Sequence, residues 1–496
     1  MKLSKKVLDM ELSPIRKFVP YADAARAAGK KVYGLNIGQP DIKTPQAFFD
    51  AVKNYDEEVL AYANSQGVSS LLDALVGYYK RIGLDFEKKD LMVTNGGSEA
   101  INMLMTAILD DGDEVIMAEP FYTNYKTFVG QAGGKVVAIP TTADDGYQYA
   151  VREKIEKVLS PKTKIIAIIN PGNPTGKVLT REEMKLIVDI ALEHDLFIIA
   201  DEVYREFVYD GKEMSSFGSF KEAEQNVIIV DSVSKRFSAC GARIGSIACK
   251  NEELMMNIMK LAQARLCCPT IDQVGAAALY NLDPSYFDDI KKEYEHRRDV
   301  SVEALNEIEG IKYGIPEGAF YITAQLPVDD AEKFLMFLLT EFDVNGETCM
   351  FAPAGGFFST KGVGQSDMRI AYVLNAEDMK AGINIIKEGI KAYNKMCIRD
   401  SYYEMSCGRM YESMKNSIDA KLKSLTHMIE QKHVSLEENN PRSILSKGYA
   451  ILEESGGKVV ASVKKLEPLK RYKIYLKDGC VEFTISDLKE GESYDF

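Results

Sequence analysis

Asn226-Val227-Ile228-Ile229-Val230-Asp231 runs directly into Ser232-Val233-Ser234-Lys235-Arg236-Phe237-Ser238-Ala239-Cys240-Gly241-Ala242-Arg243-Ile244-Gly245. The apolar run Val227–Val230 has no alternation, which predicts a strand buried on both faces, as in a parallel sheet covered by helices. Lys235 is then expected in the loop leaving the carboxyl end of that strand, where open α/β sheets bind their ligands. An amine whose pKa is lowered by desolvation or neighbouring cations is a nucleophile able to form a Schiff base with an aldehyde. Arg243 and the hydroxyls of Ser232 and Ser234 supply donors for a dianionic phosphate beside it. Alone, the segment also reads as a surface lysine in a serine-rich loop, so what surrounds it decides.

Outward from this join, apolar strands alternate with helical stretches: Leu91–Thr94, Glu114–Ala118, Val136–Ile139, Ile165–Ile169, Leu196–Ala200 and Val227–Val230. That alternation predicts an α/β fold with a mostly parallel sheet sandwiched by helices. After Leu91–Thr94 comes the small-residue turn Asn95-Gly96-Gly97-Ser98-Glu99 and a helix from Ala100, a strand-turn-helix start that suits phosphate. Asn170-Pro171-Gly172-Asn173-Pro174-Thr175-Gly176 follows one strand end, and Asp201-Glu202-Val203-Tyr204 follows another. An aspartate ending an apolar strand is costly to bury without a cationic or protonated partner. The amide, the acid and the lysine are thus expected at one edge of the sheet. From about residue 285 shorter strands and helices predict a smaller α+β domain, closed by a helix from Ala376 to Asn394. Arg369, in the apolar strand Met368–Tyr372, is either salt-bridged within the core or aimed at an anionic ligand, and the strand by itself favours the first.

The chain of 496 residues is long enough for about three domains. Its boundaries read as an arm at 1–40, a large domain at 41–285, a small domain at 286–394, a patternless junction at 395–401, an amphipathic helix at 402–438 and a small β module at 439–496. A net charge of −13 lacks the basic footprint of a general nucleic-acid or anionic-membrane binder. Neither a leader pattern nor a membrane-spanning apolar run is seen, so a cytoplasmic protein is expected. Eight scattered cysteines, of which only Cys267 and Cys268 are adjacent, and four histidines suggest free thiols and no metal site.

Together these motifs resemble the class I/II aminotransferases, pyridoxal-phosphate enzymes of fold type I, over residues 1 to about 394. The resemblance implies that Lys235 carries the cofactor aldehyde as a Schiff base and, once displaced, moves the substrate proton. It implies that Asp201 pairs with the pyridine nitrogen, and that Tyr204 and Asn173 hydrogen-bond the ring oxygen. Arg243, Ser232 and the backbone of Gly97, Ser98 and Glu99 would hold the phosphate, with Tyr122 stacked on the ring. Arg369 would take the substrate α-carboxylate, helped by Asn173 and the backbone at Gly38. Tyr62, by itself an incidental loop aromatic, would reach the phosphate of a neighbouring subunit in a homodimer, and the Asn173–Pro174 peptide would be cis. The implied reaction is ping-pong transfer of an amino group from an α-amino acid to a 2-oxo acid. Side-chain preference is left to loops and the arm, with Arg16 and Tyr62 as candidates. Other chemistry on the same scaffold, such as C–S β-elimination, and a non-catalytic cofactor-binding regulator are the alternatives.

In the tail, Tyr411, Met414, Ile418, Leu422, Leu425 and Ile429 are spaced by three and four residues, predicting an amphipathic helix. Short strands with a hairpin turn at Lys477-Asp478-Gly479 follow. The run Asn440-Pro441-Arg442-Ser443-Ile444-Leu445-Ser446-Lys447-Gly448-Tyr449-Ala450 resembles the C-terminal end of the exodeoxyribonuclease VII large subunit. Residues 397–496 hold 16 Lys+Arg and 16 Asp+Glu, so no electrostatic footprint for DNA is present and no nuclease activity is inferred. Two unrelated families abutting at 395–401 without linker composition suggest an accidental fusion, with a self-associating appended helix as the alternative.

Overall fold

The computed structural model describes residues 1–8, 10, 13–489 and 491. It divides into two compact units, Met1–Met396 and Cys397–Phe496. In the first, β1 (Lys31–Gly34) precedes seven strands that share one sheet: β2 (Leu91–Thr94), β3 (Glu114–Glu119), β4 (Lys135–Pro140), β5 (Thr163–Ile169), β6 (Phe197–Asp201), β7 (Val227–Ser232) and β8 (Gly245–Cys249). Their order is β2-β8-β7-β6-β5-β3-β4, with β8 antiparallel to both of its neighbours and the other pairings parallel.

The unbroken apolar strands are explained by what covers them. Val227 and Ile229 point into one core with Leu71, Leu75, Ile187 and Ala276, whereas Ile228 and Val230 point into another with Ala100, Leu104, Ile258 and Ala262. Each fully buried isoleucine or valine contributes about 1.5–3 kcal/mol, and the two layers leave no face for polar residues. Strand β8 was not legible in the sequence. Residues 233–244 contain only short helical turns, and a parallel return needs a longer crossover, so the chain comes back antiparallel.

Register sets the site. Ile169 of β5 pairs with Asp201 of β6, and Asp201 pairs with Val230 of β7, so the segments beginning at Asn170, Asp201 and Ser232 leave the sheet side by side. Lys235 lies not in an open loop, as the sequence suggests, but on a single helical turn, Val233–Arg236. Ser232 caps that turn by accepting the Ser234 amide at 3.1 Å, which satisfies one of its free donors.

Beyond the helix Tyr286–Asn306, the strands β9 (Lys312–Tyr313), β10 (Tyr321–Gln325), β11 (Glu347–Met350), β12 (Ala352–Pro353) and β13 (Asp367–Ala371) build two small sheets. The first pairs β1 with β11, and the second has the order β12-β13-β10-β9. Arg369 sits mid-strand in β13 opposite Thr323, which aims the head of a buried arginine toward the large sheet's carboxyl edge. The closing helix, Ala376–Glu438, continues through residues 395–401, where no pattern was legible.

The second unit comprises helical residues 397–438, the helix Pro441–Ser446, and an antiparallel sheet of β14 (Ile451–Glu454), β15 (Lys458–Val459), β16 (Arg471–Leu476) and β17 (Gly479–Thr484). Leu476 pairs with Gly479 across a two-residue hairpin at Lys477 and Asp478. Among the described residues, no helix is long and apolar enough to cross a membrane.

Candidate active site

A cavity of about 680 Å³ lies at the carboxyl edge of the large sheet, and Lys235, Asp201, Tyr204, Asn173, Tyr122, Ser232, Arg243, Gly97, Ser98, Gly38 and Arg369 all line it. Residues separated by more than three hundred positions in sequence are thereby brought into one chamber.

Lys235 Nζ donates to the Gly38 carbonyl at 2.8 Å and lies 4.0 Å from the Cys240 sulfur. On the cavity floor, Asp201 accepts from the Tyr125 hydroxyl at 3.2 Å and from the Val203 amide at 3.4 Å. No cation among the described residues pairs with it, and burial pushes its pKa from 3.8 up to about 7 despite those two donors. A buried carboxylate in this state is suited to a protonated ring nitrogen.

Arg369 is 2% exposed. The expectation that it is salt-bridged within the core is not met. Its guanidinium donates to the Asn36 carbonyl and, at 3.3 Å, to Asn173 Oδ1, while its Nε has no partner. It stands over the Tyr321 ring at 4.7 Å and the Phe357 ring at 5.1 Å. Desolvation pushes its pKa down from the ordinary arginine value. A buried guanidinium without a carboxylate, open to a cavity, is a receptor for a small carboxylate. Asn173 links it to the ring-binding side, because its Nδ2 donates to the Tyr204 hydroxyl at 3.3 Å. Tyr204 and Tyr321 share a further hydrogen bond at 2.9 Å. The Asn173–Pro174 peptide is cis, as the resemblance implied.

The opposite end of the cavity is built for an anion. The helix Gly96–Ile108 points its N-terminal amides at it, beside the exposed Arg243, whose guanidinium donates to the Cys240 and Asn95 carbonyls. Gly245 allows the approach of these two segments, since a Cβ there would lie 2.6 Å from the Gly96 carbonyl carbon. The Ser232 hydroxyl donates to the Ile244 carbonyl at 3.0 Å and shares a hydrogen bond with Ser234 Oγ at 2.8 Å, which keeps it at the cavity wall.

Two candidates stand apart. The Glu99 carboxylate turns back to its own helix start, accepting from the Asn95 amide at 2.6 Å and from Arg265 at 2.9 Å, so only its backbone remains available. Tyr62 is 82% exposed and does not line this cavity. The sequence reading missed Tyr125 and Tyr321 as site residues. Tyr125 was discoverable three residues beyond the Pro120-Phe121-Tyr122 turn, in the first turn of the helix Asn124–Gln131, whereas nothing local marked Tyr321. Among the described residues no cluster of His, Cys, Asp and Glu suits a metal.

A lone buried carboxylate, a helix start with an arginine, and an aromatic wall fit the ring nitrogen, phosphate and ring of pyridoxal phosphate. The family model "Aminotransferase class I and II" matches residues 30–386. The chain is 31% identical over 405 residues to an aspartate aminotransferase of Bacillus subtilis, covering 79% of this chain and 100% of the relative. An alanine aminotransferase structure from Pyrococcus furiosus superposes with a TM-score of 0.72 at 31% identity, covering 79% of this chain and 100% of that one. A Thermus thermophilus aspartate aminotransferase with maleate does so with a TM-score of 0.72 at 26% identity, covering 78% and 100%. The chain therefore belongs to the class I and II aminotransferases and is a pyridoxal-phosphate-dependent aminotransferase.

Proposed function

We propose that this site moves the amino group of an acidic α-amino acid to a 2-oxo acid, with Lys235 as the proton carrier. The observation that carries the reading is Arg369, a buried guanidinium without a carboxylate partner in the same cavity as Lys235. When bound, pyridoxal phosphate supplies an aldehyde and a ring that accepts the electrons released at the substrate Cα. Lys235 Nζ would hold the aldehyde and, once the substrate amine has taken its place, would move the proton from the substrate Cα to the former aldehyde carbon, a general acid–base role. Asp201 would keep the ring nitrogen protonated, and the Tyr125 hydroxyl holds the Asp201 carboxylate in place. Tyr204 and Asn173 would hydrogen-bond the ring oxygen, and Tyr122 would pack against the ring. Arg243, Ser232 and the backbone amides of Gly97, Ser98 and Glu99 hold the phosphate. Arg369, with Asn173 and the backbone at Gly38, grips the α-carboxylate in two parallel hydrogen bonds. Arg369→Lys retains charge but loses the fork, so kcat/KM should fall about 10- to 100-fold, chiefly through KM.

Specificity for an acidic side chain rests on Arg16. It lines the cavity on the arm segment, and no carboxylate among the described residues pairs with it. A substrate with a second carboxylate would bridge Arg369 and Arg16. Arg16→Gln should lower kcat/KM for aspartate about tenfold and leave alanine unchanged. Equal losses for both would show that Arg16 does not read the side chain.

The exposed Tyr62 is consistent with a homodimer in which it reaches the second copy's phosphate site, and the reading places the enzyme in the cytoplasm. The decisive experiment mixes the protein with a panel of amino acids and follows the cofactor spectrum. Conversion to the amine form with release of the matching 2-oxo acid supports amino transfer. Pyruvate and ammonia from a cysteine conjugate would mean β-elimination, and no change with any amino acid would mean a regulator. For residues 397–496 we infer no nuclease role. The likeness to exodeoxyribonuclease VII covers only that protein's C-terminal end, and sequencing the source DNA across codons 395–401 distinguishes a genuine fusion from an accidental one.

A further inference from the structure

Tyr321 lies among the groups that hold the lysine, the ring oxygen and the substrate carboxylate, and its register on β10 explains how. Thr323 stands opposite Arg369 of β13, so Tyr321, two residues before Thr323, leaves the same face of the small sheet and comes within reach of that arginine. The Arg369 guanidinium lies 4.7 Å over the Tyr321 ring. The same ring meets Tyr204 edge to face with centroids 5.5 Å apart, and the two hydroxyls are 2.9 Å apart. Tyr321 also packs against Gly38, whose carbonyl accepts from Lys235, and a Cβ at Gly38 would collide with the Tyr321 hydroxyl. Both tyrosines are buried, so the direction of their shared hydrogen bond is set by their neighbours and not by bulk water.

The proton count at Tyr204 decides what this contact does. A phenol has a single proton to donate, and its oxygen can also accept. Asn173 Nδ2 donates to the Tyr204 oxygen at 3.3 Å, its amide held in that orientation by Arg369, which donates to Oδ1. The positive charge above the Tyr321 ring polarises its hydroxyl, which favours Tyr321 as the donor of the tyrosine pair. Tyr204 then accepts from both neighbours and keeps its only proton for the cavity. We propose, on the reading of Tyr204 as the donor to the cofactor's ring oxygen, that Tyr321 is a positioning residue: its hydroxyl turns the Tyr204 proton to that oxygen, and its ring seats Arg369 for the substrate carboxylate. The two parts of one side chain therefore act on different steps, the hydroxyl on the chemistry and the ring on binding.

A donor at the ring oxygen favours its proton-free, charged form, so weakening that donor raises the pH at which the bound cofactor's absorption changes. In the holoenzyme, Tyr204→Phe should raise this midpoint, and Tyr321→Phe should raise it by about half to one pH unit, the worth of one hydrogen bond. The double variant should shift no further than Tyr204→Phe alone, because Tyr321 acts through Tyr204. Tyr321→Phe should also lower kcat about three- to tenfold with KM little changed. Tyr321→Leu, which removes the ring as well, should add a rise in KM of about threefold or more for every amino acid that turns over. A midpoint shift in Tyr204→Phe without one in Tyr321→Phe overturns the proposal and leaves the role of Tyr204 intact, whereas no shift in either overturns both. Additive shifts in the double variant, or equal rises in KM for Tyr321→Phe and Tyr321→Leu, overturn the division between hydroxyl and ring. The absorption comparison needs no turnover, so it stands apart from whether the site moves an amino group.

Discussion

Lys235→Ala should lower kcat for amino transfer by at least about 10⁴, the upper range for loss of a positioned acid–base group and a lower bound where the same residue would also hold the cofactor. The fold should be retained. Lys235 sits on a one-turn helix whose cap and packing come from Ser232, Val233 and Arg236, not from the lysine side chain. Truncation leaves the Gly38 carbonyl without its 2.8 Å donor, but it faces the cavity and water takes the place. The groups proposed to hold the phosphate and the ring do not include the lysine, so the variant should still bind pyridoxal phosphate reversibly. Borohydride treatment followed by denaturation checks this: wild-type protein keeps the cofactor on the peptide containing Lys235, and the variant releases it. Normal turnover by Lys235→Ala would remove the centre of the proposed mechanism.

The placement of the candidate residues was legible where they lie at a strand end. The runs Ile165–Ile169, Phe197–Ala200 and Val227–Val230 in β5, β6 and β7 are apolar, so the polar residues that end or follow them are conspicuous, and parallel order sends all three to one edge. Arg369 was visible, but its strand alone favoured a salt bridge, and only the resemblance turned it toward a substrate carboxylate. Whether a buried arginine has an acid beside it depends on residues distant in sequence, and here its neighbours are Asn36, Asn173 and two aromatic rings. Tyr321 was invisible for the same reason, since its partner Tyr204 is 117 positions away. Glu99 belongs to a motif whose backbone matters, and only the structure shows its carboxylate returning to Asn95 and Arg265. Strand β8 was hidden because Gly245–Cys249 reads as a continuation of the cofactor loop, and only the shortness of the connection decides its direction.

Asp201→Asn should lower kcat by about 10³, the loss expected when one preorganised charge stabilising a reaction is neutralised. Without that charge the ring nitrogen is not held protonated and the electrons leaving Cα have a poorer sink. The same substitution has a signature that does not depend on turnover. Burial raises the Asp201 pKa from 3.8 to about 7 in the absence of a cation. A raised folded-state pKa means that the folded protein binds the proton more tightly than the unfolded chain. The stability this confers is fully present below the unfolded value, near 3.8, and is lost as pH rises through about 7. Over that window the cofactor-free wild type should lose about 4 kcal/mol relative to Asp201→Asn, whose amide does not titrate. Urea unfolding of both cofactor-free proteins at about pH 4 and about pH 8 measures the difference directly. Repeating it with pyridoxal phosphate bound supplies a protonated nitrogen as the missing partner, so the wild-type penalty at the higher pH should shrink. A gap between the two proteins that is the same at both pH values would show that the carboxylate is not held uncompensated in the cofactor-free fold, and with it would go the physical reason for pairing Asp201 with the ring.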